Sequence, residues 1–322
     1  MKFENLKSSL KEQIYPIYLL EGEEDFFRDR GEEFILSATI EERQLNLATF
    51  EGSSLKQGTE NLVNLLASCP FMSNKRAICI REWYPTAQDL KDKSLKAYFE
   101  NPFDTACLII NNSKKCEALK KIESVTLVDC QKGSIELISK FIRSKCTNAN
   151  LIISTSTCKL IAEFCQYDMI RINGEVEKLI AYKFSQDEIT DDDVEKMVTK
   201  TQEYKIYEMV SYIANKNFDS AYKILQELNN VSDRQMLFVS IYYHFRRLFF
   251  VSISNKSDSE LAEILGVKEF AIQMAKRQAK SFSNKRLKHI MDKLSECERG
   301  FKSGLITFDG AFYESVFNVL CE

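Results

Sequence analysis

The turn after the first apolar run of the chain could be a phosphate-binding site, but it carries the wrong side chains. Such a loop has two glycines five residues apart, then lysine and Ser or Thr, so that backbone N–H groups and an ammonium surround the phosphates. No two glycines here are five or two residues apart, and none precedes lysine. The turn Glu21–Asp25 instead contains four carboxylates, which repel phosphate but are favourable at a helix N-terminus. The sequence therefore predicts no nucleotide cofactor here.

Other catalytic or metal-binding patterns are also missing from the sequence. The two histidines, His244 and His289, lie in helical patterns, outside any zinc-protease or serine-hydrolase motif. No two of the ten cysteines are three residues apart, so there is no zinc or redox pair. We interpret the cysteines as small buried hydrophobic residues of a reducing compartment. The sequence predicts a non-enzyme without cofactor or metal.

The composition is that of an ordinary globular protein. The 322 residues are 44% hydrophobic and 28% charged, with a net charge of −3, which gives no global signature of nucleic-acid or membrane binding. The N-terminus lacks the apolar core of a signal peptide. The longest apolar region, Met236–Ile253, is interrupted by His244, Arg246 and Arg247 and is not expected to face lipid. We expect a cytoplasmic protein.

The first 130 residues alternate between two periodicities. Short apolar runs predict strands at Ile17–Leu20, Leu45–Phe50, Ala77–Ile80, Cys107–Ile110 and Val125–Val128. Helical patterns lie between them at Asp25–Thr39, Thr59–Ser68, Ala87–Phe99 and Lys114–Ile122. This alternation predicts a parallel sheet with helices on both faces.

After Cys130 the sequence predicts helices and no further strands. The predicted helices are Gly133–Cys146, Thr157–Phe164, Gly174–Phe184, Ile189–Val198, Tyr204–Ala214, Phe218–Leu228, Asp233–Ser252, Glu260–Leu265, Phe270–Ala279, Arg286–Arg299 and Gly310–Leu320. Thr190 and Asp193 have the spacing of a capping box, with Asp in place of Glu. We predict an α/β domain at 1–131, a small helical domain at 132–202 and a larger helical domain at 203–322.

The segment Ser68–Ser73 lies between a predicted helix and a predicted strand, so we expect a loop there. Phe71 and Met72 would be large apolar residues at its tip. Phe71 either folds under the loop into the core or stays exposed as an anchor for a partner's pocket. The sequence alone leaves both possibilities open.

The segment Gly266–Gly304 is basic. It carries ten Lys or Arg against four acidic residues, a net charge of +6, which leaves −9 for the rest of the chain. A basic helical face can follow a nucleic-acid backbone or can be an ordinary solvated surface, and both interpretations stay open. The candidates for DNA contact are Lys276, Arg277, Lys280, Lys285 and Arg286.

Several short strings, in a fixed order, resemble the delta subunit of the bacterial DNA polymerase III clamp loader. The strings are Tyr18–Glu24, Ser68–Arg76, Glu175–Tyr182, Ile189–Val194, Phe245–Leu248, Leu261–Val267 and Gln278–Ser283. They extend over nearly the whole chain. Each string alone is weak, whereas the ordered set with its spacing is specific.

This resemblance implies an AAA+-like parallel-sheet domain without a working ATP site, a small lid-like helical domain and a C-terminal helical collar domain. It also implies that a hydrophobic plug, here Pro70 and Phe71 with Met72 beside them, binds the ring-shaped sliding clamp (beta) and favours its opening. The collar would join the tau/gamma and delta-prime subunits, and the assembly would act on primed DNA. A degenerate AAA+ ATPase and a helical DNA-binding protein remain the alternatives.

Overall fold

The computed structural model describes residues 1–131, 133–183, 187–231 and 233–321, apart from the side chains of residues 57, 230, 231 and 317–321. The chain divides into two compact units, Met1–Phe141 and Ile142–Glu322. Our three-domain division at 1–131, 132–202 and 203–322 stays a prediction.

The first unit contains the predicted parallel sheet. Its strands are β1 (Ile17–Glu21), β2 (Leu47–Glu51), β3 (Arg76–Arg81), β4 (Ala106–Asn112) and β5 (Val125–Asp129), in the order β2-β3-β4-β1-β5. Every neighbouring pair is parallel, and β1, which lies between β4 and β5, pairs Leu19 with Ile110 of β4 and Leu127 of β5. All five predicted strands are present, although β2 begins at Leu47, two residues later than predicted. The apolar runs of β1, β3 and β4 are buried, as expected for inner strands of a parallel sheet.

Helices cover both faces of the sheet. They are α1 (Phe3–Glu12), α2 (Asp25–Thr39), α3 (Arg43–Asn46), α4 (Glu60–Ala67), α5 (Lys93–Glu100) and α6 (Glu117–Lys120), with 3₁₀ turns at Ser54–Gln57 and Asp89–Lys91. On one face α2 approaches β1 so closely that a Cβ on Gly31 would lie 2.9 Å from Leu20 Cδ2. On the other face Ile17 and Leu19 share a core with residues of α4, α5 and α6.

The second unit is mainly helical. Helix α7 (Ile135–Asn148) crosses the boundary between the two units. The elements that follow it are β6 (Ile152–Ile153), α8 (Thr155–Phe164), α9 (Met169–Tyr182), β7 (Glu188–Ile189), α10 (Asp191–Met197), α11 (Gln202–Ala214), α12 (Phe218–Val231), α13 (Arg234–Ile253), α14 (Asp258–Leu265), α15 (Glu269–Ala279), α16 (Asn284–Lys302) and α17 (Phe308–Cys321). Our expectation that strands end at Cys130 is wrong, because β6 and β7 form a small parallel pair. Phe184, the predicted end of the helix from Gly174, lies outside the described residues.

The capping box predicted at the start of α10 is confirmed. The Thr190 hydroxyl accepts a hydrogen bond from the Asp193 backbone N–H, and the Asp193 carboxylate accepts one from the Thr190 N–H. Lys183 also forms an ion pair of 2.8 Å with Asp193. Burial raises the pKa of Asp193, but the hydrogen bonds from Lys183 and Thr190 outweigh it and lower that pKa to about 2.

The helices from α11 onward share one hydrophobic core, which extends from Ile206 to Phe312. Helix α13 lies in it with Leu237, Ile241, Phe245 and Leu248 buried. In the described part of the chain, α13 is also the helix that is long and apolar enough to span a membrane by length and composition. Because its apolar side chains contact other helices of this unit, we interpret α13 as a core helix.

Candidate functional site

The loop between α4 and β3 presents two apolar side chains to solvent. Phe71 is 58% exposed and Met72 is 83% exposed, while Pro70 is half-buried. The interpretation of Phe71 as a core residue is therefore wrong. We call Phe71 and Met72 the apolar tip. Leu45, in α3, and Cys69 are exposed as well.

A buried amide holds the backbone of the apolar tip. Asn46, at the end of α3, is fully buried, and its Oδ1 accepts a hydrogen bond of 2.7 Å from the Phe71 N–H. Its Nδ2 donates a bond of 2.9 Å to the Phe71 carbonyl oxygen. These two hydrogen bonds satisfy the N–H and the carbonyl oxygen of Phe71 without water. Together they fix the position of the Phe71 backbone.

Asn46 was missed in the sequence because it lies inside the run Leu45–Phe50, which predicts a strand. In the structure β2 begins only at Leu47, and the preceding four residues form α3. A polar residue inside an apolar run was the available signal. Its partner lies 25 residues further along the chain, so no local pattern indicates the contact.

The rest of the loop is held from its base. Arg76, at the start of β3, donates hydrogen bonds to the Leu65 carbonyl oxygen (3.3 Å) and to the Ser68 hydroxyl. Met72 has a φ of 49°, in the left-handed region that non-glycine residues rarely occupy. Backbone strain of this kind costs about 1–3 kcal/mol and is concentrated at functional sites. The loop thus combines a fixed base with an exposed apolar tip.

Residues of the acidic turn after β1 form hydrogen bonds and ion pairs with other parts of the chain. Glu21 is buried, pairs with Lys120 at 2.7 Å and accepts a hydrogen bond from the Cys116 N–H. The buried Arg28 donates to Asn111 Oδ1 (2.9 Å), Asp25 (2.7 Å) and the Gly22 carbonyl oxygen.

The backbone of this turn is engaged too. The Gly22 N–H donates to the Asn112 carbonyl oxygen at 3.2 Å, and the Glu24 N–H donates to the Cys130 carbonyl oxygen at 3.2 Å. A Cβ on Gly22 would lie 2.2 Å from the Cys130 carbonyl, so only glycine fits. These two backbone N–H groups are therefore already engaged within the chain.

The five basic candidates of the second unit fall into two groups. Lys276 forms an ion pair of 2.5 Å with Asp258, and Arg277 lies 3.9 Å from Glu163. Lys280 and Lys285 are exposed on either side of the turn between α15 and α16, and the half-buried Arg286 lies over the Phe282 ring at 5.1 Å. The structure thus places all five around one turn, with two of them paired to carboxylates.

The histidines and cysteines form no described metal cluster. Across the described ranges, no three His, Cys, Asp or Glu side chains come together. His244 is buried and its Nε2 lies 2.7 Å from Gln278 Oε1. Eight of the nine described cysteines are buried, as the sequence predicts.

Comparisons with known proteins point to one family over most of the chain. The family model described as DNA polymerase III, delta subunit, matches residues 18–132, and the model for the C-terminal domain of the delta subunit matches residues 203–318. DNA polymerase III subunit delta of Bacillus subtilis is 22% identical over 94% of this chain and 92% of that protein. The probable delta subunit of Mycoplasma genitalium is 22% identical over 75% of this chain and 77% of its own.

A solved structure has the same fold. The Bacillus subtilis DNA clamp loader delta protein superposes with a TM-score of 0.75 at 19% identity, covering 99% of this chain and all of the other. The two family models together match well over half of the 322 residues. The chain therefore belongs to the delta subunit family of the bacterial DNA polymerase III clamp loader, a non-catalytic component of DNA replication.

Proposed function

We propose that this chain binds the sliding clamp (beta) through Phe71 and Met72, with Pro70 beside them, and favours the opened form of the ring. The exposed apolar tip on a loop held by Asn46 carries the proposal. Large apolar side chains exposed together are unusual on a protein surface and mark interaction sites. An aromatic anchor that enters a pocket contributes much of the binding energy of an interface.

The same loop explains how binding could act on the ring. A partner shifts an equilibrium between closed and open forms only by its difference in affinity for the two. A fixed loop presents Phe71 in one geometry and so discriminates between two shapes of a pocket better than a mobile loop. The backbone hydrogen bonds from Asn46 therefore support clamp opening as well as clamp binding.

We further propose that the C-terminal helices join the tau/gamma and delta-prime subunits in a cytoplasmic assembly that acts on primed DNA. The helices from Tyr204 onward include the apolar stretches Met236–Ile241 and Leu248–Val251, which are candidates for this contact. Much of both stretches lies in the chain's own core, including Leu237, Ile241 and Leu248. The contact is therefore assigned to the exposed residues of α13, among them Met236 and Val239.

The test is Phe71→Ala in the full chain. Truncation of a central anchor costs about 2–4 kcal/mol of binding, or roughly 30- to 1000-fold at about 1.4 kcal/mol per tenfold. Because Phe71 is mostly exposed, the free energy of unfolding should change by about 1 kcal/mol or less. Calorimetric titration with the host's clamp and thermal melting, on the same variant, measure both quantities.

Phe103→Ala is the matched control, because Phe103 is also exposed, at 38%, and lies in the same unit. It should leave clamp affinity unchanged. If Phe71→Ala binds the clamp as the unmodified chain does, the proposed function is wrong. In a clamp-opening assay, Phe71→Ala should reduce opening and Phe103→Ala should leave it unchanged.

A further inference from the structure

A cleft in the second unit contains two arginines side by side. It has a volume of about 470 Å³ and lies where α11, α13 and the end of α14 meet, lined among others by Glu203, Ser240, Tyr243, Arg246 and Arg247. Leu265, Gly266 and Val267 also line it, and Gly266 takes the left-handed conformation that ends α14. The cleft is open to solvent and large enough for a side chain from another molecule.

Arg247 has no hydrogen-bonded partner within the described part of the chain. Glu203 is the carboxylate that acts on it, from beyond ion-pair distance, and Glu203 itself is exposed at the start of α11. Burial lowers the pKa of Arg247 from its usual range. A half-buried guanidinium offers five N–H donors in a planar fork, which suits a carboxylate oxygen pair. Within the described residues, the guanidinium is therefore available for a carboxylate from another molecule.

Arg246 also lines this cleft. Its guanidinium carbon is 5.9 Å from the centre of the Tyr243 ring and 5.4 Å from that of Phe250. Stacking between two rings holds the guanidinium plane in place while its edge remains available for a carboxylate. The two arginines therefore present a fixed pair of positive charges.

An exposed apolar stripe on α13 continues from this cleft. Met236 is 68% exposed and Tyr243 is 53% exposed, with Val239 between them. Their three- and four-residue spacing places them on one side of the helix. We call these three residues the α13 stripe. Met, Tyr and Arg together are the residues most enriched at the centre of protein–protein interfaces.

We propose that the cleft at Arg246 and Arg247 binds an Asp or Glu side chain of another clamp-loader subunit, whose apolar residues cover the α13 stripe. The proposal rests on the assembly role proposed above and names its contact. A nucleic-acid backbone is the poorer occupant, because phosphate-tracking surfaces are rows of exposed Lys and Arg. This cleft instead has two arginines beside a carboxylate and an apolar stripe.

The test uses Arg247→Met in the full chain, co-purified with the host's other clamp-loader subunits. Loss of one member of a buried charge pair should weaken assembly by about 30-fold or more. The isolated variant should melt at the same or a higher temperature, because methionine removes a half-buried charge that has no ion-pair partner in the described residues. Lys223→Gln is the control, since Lys223 is exposed on α12 away from the cleft, and it should change neither quantity.

A second measurement identifies the occupant. A photo-crosslinking amino acid in place of Tyr243 should capture a peptide of a partner subunit that contains Asp or Glu. Assembly of Arg247→Met with unchanged affinity would overturn the inference, and so would a lowered melting temperature, which would make Arg247 a structural partner of Glu203. If Arg247→Met assembles normally but the assembly loses binding to primed DNA, the cleft binds phosphate. That result would also overturn the inference. If the unmodified chain fails to assemble, the proposed function itself is wrong.

Discussion

Asn46 is a buried residue whose contacts hold the backbone of the exposed Phe71. Its amide supplies both partners of the Phe71 backbone, so the direction of the Phe71 ring depends on a side chain that never reaches solvent. Phe71 and Met72 could be predicted as loop residues from sequence, because they lie between a helical pattern and a strand pattern. The role of Asn46 could not, since it depends on a contact between distant parts of the chain.

The residue Asn46 gives a direct test of this loop geometry. Asn46→Ala removes two hydrogen bonds of about 1 kcal/mol each, so clamp binding should weaken roughly 5- to 30-fold at about 1.4 kcal/mol per tenfold. Hydrogen exchange at the Phe71 amide should become faster. Asn46→Asp keeps the acceptor for the Phe71 N–H and should have an intermediate effect.

Asn112 is the matched control for this experiment. It is also fully buried, and its amide accepts from the Trp83 N–H (2.9 Å) and donates to the Trp83 carbonyl oxygen (2.6 Å). Asn112→Ala should therefore lower stability in a similar way but leave exchange at Phe71 unchanged. Equal loss of clamp affinity in both variants would mean that Asn46 acts only through general stability.

A second residue-scale prediction concerns His244. Burial, and to a smaller extent the charge of Arg247, lowers its pKa from 6.5 to about 3, although the hydrogen bond to Gln278 acts in the opposite direction. The unfolded chain binds a proton at this residue below about pH 6.5 and the folded chain does not. Stability from the neutral histidine is therefore complete above pH 6.5 and is lost as the pH falls towards 3, by about 1.4 kcal/mol per pH unit.

His244→Gln removes this titration while keeping a group that can bond to Gln278. Urea unfolding between pH 7 and pH 5 should show a flatter pH dependence for the variant than for the unmodified chain. Parallel curves would contradict the assignment. The window lies above the range in which Asp193, with its pKa of about 2, begins to contribute.

At the scale of elements, the sequence predicts the sheet better than the helix boundaries. The runs that became β1, β3 and β4 are buried in the structure over most of their length. The predicted helix Ala87–Phe99 is interrupted, because the Asp92 side chain accepts from the N–H groups of Ser94 and Leu95 and starts α5 there. The strands β6 and β7 have two residues each, too few to produce a pattern.

The element most relevant to nucleotide chemistry is the turn between β1 and α2. Mg-ATP should give no heat in a calorimetric titration of the isolated chain, because the Gly22 and Glu24 N–H groups already donate to carbonyl oxygens. Carboxylates of the same turn would also repel phosphate. A nucleotide-binding protein of known affinity in the same buffer serves as the positive control. A dissociation constant in the micromolar range would support the alternative of a degenerate ATPase.

At the scale of the whole molecule, the charge is unevenly distributed. The segment 266–304 carries +6 and the rest of the chain −9. Ion pairs neutralise part of the basic segment, including Lys276 with Asp258 and Arg277 with Glu163. The positive charges that remain available for a partner are therefore fewer than the sequence alone indicates.

The last prediction concerns DNA binding by the assembled loader. Lys280 and Lys285 are exposed, so the double charge reversal Lys280→Glu and Lys285→Glu should weaken binding to primed DNA. The slope of log affinity against log salt should become less steep by about 0.9 for each phosphate that the loader no longer neutralises. Charge reversal at the exposed Lys216 and Lys223, which precede the basic segment, is the matched control and should leave the slope unchanged. Equal slopes in both double variants would make the face around Lys280 an ordinary solvated surface, and the loader's affinity for DNA would then have to come from its other subunits.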